Sequence, residues 1–235
     1  MGKVILAGAG PGAADLITLR AVRALAQADV VLYDALVGPE ILELCPQALK
    51  IPVGKRFGKR SPAQAEINQL LVQYGLSHNL VVRLKGGDPM LFGRADEELA
   101  ALEQAGISVE VIPGVTTAFA AAAATLQPLT RRGCARSVAF FTSSSAPDLP
   151  DTTQLPDSDT LVQYMGGHKA VQTAELLLAQ GRSPDLPVVT VESCSLPNQK
   201  IRRLTLSELK LGLPEASGPV LVMIGAAFAR RLPTK

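Results

Sequence analysis

The sequence predicts a two-domain α/β protein whose first half builds a mainly parallel sheet and whose second half builds a mixed sheet, each with flanking helices. Three observations carry this. Across residues 1–132 a short β-branched or apolar run is followed by Gly, Pro or Asp and then by a segment of helical periodicity, and the arrangement recurs. After Pro128-Leu129-Thr130-Arg131-Arg132-Gly133 the pattern changes to strand-like runs with few helices. Several connections there are too short for helical crossovers, so residues 133–235 are expected to mix strand directions. Finally, the chain has 235 residues, 47% hydrophobic and 19% charged, which is enough apolar material for a sizeable core.

Residues 4–7 read as the first strand, running into Gly8-Ala9-Gly10-Pro11-Gly12. A helix over 19–28 follows, with Asp15 or Thr18 as N-cap and Leu19, Val22, Leu25 and Ala26 on one face. Residues 30–33 make a second strand ending at Asp34. Ser61 as N-cap, Pro62 at the first helical position and Gln64 three residues after the cap form a capping box, and Ile67, Leu70, Leu71 and Tyr74 are the buried stripe of that helix. A strand over 80–84 opens into Lys85-Gly86-Gly87-Asp88-Pro89, and the next helix, 94–105, ends at Gly106. A strand over 109–112 leads to Pro113-Gly114-Val115-Thr116-Thr117 and to an alanine run, 118–124, suited to a helix lying close on a sheet. Beyond it come strands over 137–142, 160–165, 188–192, 201–205 and 220–224 and one helix over 169–180. Residues 143–159, rich in Ser, Pro and Asp, read as a surface loop able to act as a lid. No internal repeat is visible.

Charge narrows the function classes. The 23 Lys and Arg against 21 Asp and Glu leave +2, too little for a chain that holds nucleic acid across its surface. Cys45, Cys134 and Cys194 are far apart, with no pair at metal or redox spacing, and His78 and His168 lack acidic or thiol neighbours at ligand spacing. No metal is expected, and a reduced compartment is. The longest apolar runs, 117–126 and 219–229, fall short of the roughly 20 residues of a bilayer-spanning helix. With no leader-like apolar segment at the start, a cytoplasmic protein off the membrane is the expectation.

In a parallel sheet the turns after residues 7, 84 and 112 share one edge, and glycine there lets backbone approach a ligand. Gly8-x-Gly10 with Asp34 two dozen residues on suggests a dinucleotide site, yet Pro11 removes a backbone N–H from the would-be phosphate loop, and the helix starts well past the glycines. An NAD-dependent oxidoreductase is therefore disfavoured, and no Gly-x-x-x-x-Gly-Lys-Ser/Thr occurs. Asp88 would repel phosphate and attract a cation, so a neutral or cationic nucleoside fits better. Lys55, Arg56, Lys59, Arg60, Arg94, Arg131, Arg132 and Arg136 lie near the same edge or at the domain boundary, and guanidinium groups pair with carboxylates bidentately. That favours a substrate with several carboxylates.

Taken together, Gly8-Ala9-Gly10-Pro11-Gly12 with Asp15 to Leu19, Leu32-Tyr33-Asp34, Val53-Gly54-Lys55-Arg56, the VVRLKGGDP run ending at Pro89, Phe92-Gly93-Arg94, Pro113-Gly114-Val115-Thr116, Pro128-Leu129-Thr130 and Tyr164-Met165-Gly166 resemble the tetrapyrrole methylases over nearly the whole chain. The resemblance implies two α/β domains with an active-site cleft between them, a homodimer, and S-adenosyl-L-methionine bound in a folded pose and released as S-adenosyl-L-homocysteine. Val-Gly-Lys-Arg and Pro-Leu-Thr-x-Arg point within the family to methylation of two pyrrole rings of uroporphyrinogen III, giving precorrin-2. Carried over by position, cofactor contacts are expected from Pro11, Gly86, Gly87, Asp88, Leu91, Thr116, Thr117 and Met165, with the backbone near Cys194 closing the pocket. Asp34 and Lys55 match the family's proton acceptor and donor, and Arg94, Glu97 and Arg132 match positions tied to substrate binding or proton removal. Two departures stand out: Thr142-Ser143-Ser144 where relatives have Thr-Gly-His, and Thr117 where Ala or Ser is usual. The alternatives are another cobalamin-pathway methylase, such as the precorrin-4 enzyme, and a noncatalytic tetrapyrrole carrier.

Overall fold

The computed structural model describes residues 2–54, 64–143 and 154–229. The chain divides into two compact units, Met1–Thr117 and Ala118–Lys235.

In the first unit, strands β1 (Lys3–Gly8), β2 (Val30–Tyr33), β3 (Leu49–Pro52), β4 (Leu80–Lys85) and β5 (Ser108–Ile112) form one sheet in the order β3-β2-β4-β1-β5. Every pairing in it is parallel. Helices α1 (Leu19–Leu25), α2 (Pro39–Leu42), α3 (Gln64–Ser77) and α4 (Ala95–Gln104) complete the unit. Side chains alternate across a strand, so β1 supplies Ile5 and Ala7 to the core that includes Ala21 and Leu25 of α1. Its Val4 and Leu6 go to the opposite core, with Ile67 and Leu71 of α3 and Leu102 of α4. A sheet covered on both faces explains why β1 and β4 read as continuous apolar runs. Leu6, Leu32, Leu71 and Leu102 are wholly buried, each contributing roughly 1.5–3 kcal/mol through apolar burial.

Three differences from the sequence reading have physical reasons. β3 was not expected: it sits at the sheet edge, is only half-buried and ends in Pro52, as an edge strand tolerates. Thr18 does cap α1, its hydroxyl accepting from Ala21 N at 3.2 Å, but Leu19 points outward, 74% exposed. The buried stripe is Ala21, Ala24 and Leu25, because small alanines let the helix close on the sheet. Ser61 and Pro62, expected to cap α3, lie outside the described residues.

In the second unit, β6 (Val138–Thr142), β7 (Thr160–Tyr164), β8 (Pro187–Glu192), β9 (Lys200–Thr205) and β10 (Val220–Gly225) run in the order β6-β7-β10-β8-β9. β6 and β7 pair in parallel and the other pairs are antiparallel, so the sheet is mixed as expected. Helix α5 (Thr117–Thr125) lays Ala118 and Ala121 on one face of it, against Val162, Val189 and Met223. Helices α6 (Ala170–Ala179) and α7 (Leu206–Lys210) cover Leu161, Val188 and Val222 on the other. α7 escaped the sequence reading because five residues are too few to show a period; its capping box, Thr205 with Glu208, was its one signal. Of the expected lid, residues 144–153 lie outside the described residues.

Candidate functional site

Parallel strands deliver their following loops to one edge of the first unit, and there the backbone ties three of them together. Gly10 and Gly87 form an antiparallel bridge, Gly87 N donating to Gly10 O at 2.7 Å and Gly10 N to Gly87 O at 3.2 Å. Ala9 N donates to Lys85 O at 2.7 Å. Asp88 supplies the third tie: its Oδ1 accepts from Met90 N at 2.8 Å and its Oδ2 from Gly114 N at 2.9 Å. Oδ1 thus fixes the turn of the β4 loop itself, and Oδ2 clamps that loop to the β5 loop.

Glycine is required here by contact distance. A Cβ built on Gly114 would lie 2.2 Å from Gly87 O, and one on Gly8 would lie 2.5 Å from Gly114 Cα. Gly87 is needed for conformation as well, at φ +67°, and beside it there is nothing within 4 Å of a built Cβ. The loops thus present bare backbone around open space at Gly87. Phosphate is a poor match, because Lys85, which precedes these glycines, is turned inward onto Glu98 with Nζ to Oε1 at 2.8 Å. Burial holds the Lys85 ammonium below the usual lysine range; repulsion from Arg83 adds to this and Glu98 opposes it. A nucleoside without phosphate, held by N–H and C=O groups, suits such a rim.

Of the residues expected to hold a cofactor, Pro11, Gly86, Gly87, Asp88, Leu91, Thr116 and Thr117 belong to the first unit, in or beside these loops. Met165 and Cys194 belong to the second. Met165 follows β7 at φ +55°, half-exposed. Cys194 is buried between Ser193 (φ +50°) and Ser195 (φ +64°), and desolvation pushes its thiol up to about 11. At pH 8 only about one in a thousand of such thiols is ionised. A thiol reagent at that pH should label the exposed Cys134 in the folded protein and reach Cys45 and Cys194 only after unfolding, by mass spectrometry of the labelled peptides.

The expected acid, base and substrate groups fall into separate places. Asp34 directly follows β2, and its Oδ1 accepts from Arg83 Nη2 at 2.6 Å. Arg94 caps α4 in the left-handed region, φ +54°, and grips Glu97 bidentately at 2.6 and 2.8 Å. With side chains 57% and 41% exposed, that pair contributes little to stability, so both groups are available to exchange it for a ligand. Arg132 lies in the second unit, exposed in the turn closed by Arg131 N donating to Ala135 O at 2.8 Å. With Arg131, Arg136 and Asp159 it lines a groove of about 730 Å³. Lys55 lies outside the described residues, as do Arg56, Lys59 and Arg60.

Sequence reasoning missed Arg83, Lys85 and Glu98. The signal was present: Arg83 and Lys85 stand two apart in an apolar strand, hence on one face of it, where a cation demands a buried partner. Among the described residues no group of three His, Cys, Asp or Glu is placed to hold a metal, and no helix is long and apolar enough to cross a membrane.

A family model described as Tetrapyrrole (Corrin/Porphyrin) Methylases matches residues 3–210. A siroheme synthase of Zymomonas mobilis is 46% identical over 228 residues, covering 95% of this chain and 48% of that protein, so the chain spans about half the length of the curated relatives it matches. Among solved structures, the uroporphyrin-III C-methyl transferase from Thermus thermophilus complexed with S-adenyl homocysteine is 40% identical with TM-score 0.82, covering 97% of this chain and 94% of that one. A cobalt precorrin-4 methyltransferase is 28% identical with TM-score 0.80, covering 97% and 96%.

Proposed function

From the premise that the chain belongs to the tetrapyrrole methylase family, we propose that it transfers methyl groups from S-adenosylmethionine to two pyrrole carbons, C2 and C7, of uroporphyrinogen III, giving precorrin-2 for sirohaem and cobalamin. The observation that carries this is the backbone rim at Gly10, Gly87 and Gly114, which suits a nucleoside without phosphate, while Lys85 is turned away from it onto Glu98. The greater identity to the uroporphyrin-III enzyme than to the precorrin-4 enzyme, 40% against 28%, favours this substrate.

S-adenosylmethionine supplies, when bound, an electrophilic methyl on a sulfonium. Everything else falls to this chain. The rim residues Pro11, Gly86, Gly87, Asp88, Leu91, Thr116 and Thr117, with Met165 and the backbone at Cys194, hold the cofactor; alignment of the reacting pair at an effective molarity of about 10⁵ M or more is their main contribution. The pyrrole carbon gains its bond to the methyl as the carbon–sulfur bond breaks, its electron pair staying on sulfur. The ring must then shed its N–H proton, and Asp34, carboxylate forward at the sheet edge, accepts it, with Glu97 as the other carboxylate able to serve. Such a base adds on the order of 10²- to 10⁴-fold. Lys55 returns protons, and Arg94 and Arg132 hold acetate and propionate groups. A homodimeric assembly and a cytoplasmic location belong to the same reading.

Mass spectrometry of the product from uroporphyrinogen III and S-adenosylmethionine should find two added methyl groups. An unmodified tetrapyrrole alongside turnover of another precorrin would reassign the substrate, and calorimetric binding of NADH in place of S-adenosylhomocysteine would reassign the class. Arg132→Ala is expected to raise KM for the tetrapyrrole about tenfold, the loss of one charged pair. Unchanged KM and turnover would remove the carboxylate clamp from this arginine.

A further inference from the structure

Behind Asp34 the first unit buries an ion cluster whose cost calls for a function. Arg83 and Lys85, from one face of β4, are 2% and 3% exposed, and Glu98, in the first turn of α4, is fully buried. Glu98 Oε1 accepts from Lys85 Nζ at 2.8 Å, Arg83 Nε at 3.1 Å and, at the limit, Gln64 Nε2 at 3.4 Å. Its Oε2, equally buried, has no partner among the described residues. With Asp34 the cluster holds two cations and two carboxylates, so its formal charge cancels. Neutral clusters of this kind are seldom kept for stability, since well-packed apolar residues of the same volume usually do as well or better.

What the cluster does supply is direction. A guanidinium is a rigid planar fork, and here Nε is held by Glu98 and Nη1 by Leu84 O at 3.2 Å. With two of its edges pinned, the third, Nη2, has one bearing left, and it meets Asp34 Oδ1 at 2.6 Å. Asp34 is the member of the cluster that reaches out, its side chain 29% exposed against 3% for Arg83. Asn68 braces the same helix turn, donating to Glu97 O at 3.2 Å.

We propose that Glu98 is a positioning residue that, through Arg83, aims the Asp34 carboxylate at the substrate. This rests on Asp34 being the base. A base misaimed by about an ångström loses on the order of 10²-fold in rate. Glu98→Gln should therefore lower kcat by 10- to 100-fold while KM for the tetrapyrrole and the Kd of S-adenosylhomocysteine stay within about twofold. In the Asp34→Asn background Glu98→Gln should cost nothing further, because there is no longer a base to aim. Losses that multiply in the double variant, or a Glu98→Gln enzyme with full kcat, overturn the proposal. If Glu98→Gln fails to fold, with one carboxylate left against two buried cations, Glu98→Gln with Lys85→Met restores the charge balance and takes its place in both comparisons. A second measurement separates this proposal from the assignment of the base: the Arg83 Nε–H resonance should shift in Asp34→Asn and should no longer respond to that change once Glu98 is Gln. If Asp34→Asn keeps full turnover, the base is elsewhere, and the resonance alone then decides. Loss of its response leaves the Glu98 to Arg83 to Asp34 linkage standing, and persistence of the response removes it.

Discussion

Gly114→Ala is expected to abolish measurable S-adenosylhomocysteine binding and to destabilise the fold by roughly 2–5 kcal/mol, summing an overpacked contact and a lost charge-assisted hydrogen bond. The new methyl would sit 2.2 Å from Gly87 O and 2.8 Å from Gly8 Cα, both of them backbone. Both are held in place, Gly8 by its pairing with Lys85 in the central strands and Gly87 by its bridge to Gly10. The β5 loop must retreat instead, pulling Gly114 N off the Asp88 carboxylate it meets at 2.9 Å. Stabilities of 5–15 kcal/mol are usual, so the variant should still fold in the cold, where calorimetry can be done. Gly181→Ala is the control: it adds a methyl into open space, with the backbone cost of the left-handed region at φ +82°, and should cost about 1 kcal/mol with binding intact. Wild-type affinity in Gly114→Ala would mean that the tied loops are not the cofactor cradle.

Asp34→Asn should cut turnover by on the order of 10²- to 10⁴-fold, the usual contribution of a general base, while leaving S-adenosylhomocysteine affinity within about twofold. The amide oxygen can still accept from Arg83 Nη2, which now spans 2.6 Å to the carboxylate, so the local geometry has a replacement bond. Single-turnover kinetics with saturating tetrapyrrole read the chemical step directly. A rate equal to wild type would move the base to another group, Glu97 first, since among the described residues its carboxylate is bound only by the exposed Arg94.

Much of this was legible in the residues. The strands of the first sheet other than β3 announced themselves as apolar runs, and the turns after β1, β4 and β5 as glycines that a strand end would not otherwise carry. Capping chemistry narrowed the N-cap of α1 to Asp15 or Thr18, and the bond from Ala21 N selects Thr18. Illegible were features whose cause is a neighbour remote in sequence. β3 is a strand because β2 lies beside it, Leu19 is exposed because Ala21 and Ala24 take the sheet, and Glu98, one of three acids in the first turn of α4, is set apart from the other two by β4, which brings Arg83 and Lys85 onto it. Arg94 and Glu97, three apart on α4, were nominated singly, and their mutual grip at 2.6 Å became visible once the helix cap was in place.

By itself, then, the order of residues determined the alternating architecture of the first half, the mixed second sheet and the backbone character of the glycine rim, because these follow from periodicity, turn stereochemistry and local spacing, and its motifs carried the resemblance to the family to which the chain belongs. Only the tertiary structure decided that Asp88 clamps two loops, that Gly8 and Gly114 exclude every side chain from one another's path, and that Asp34 is aimed by an arginine fixed from behind by Glu98. Those facts depend on parallel strands distant in the chain lying side by side in register. No local rule specifies that register; the burial of both faces of the sheet does.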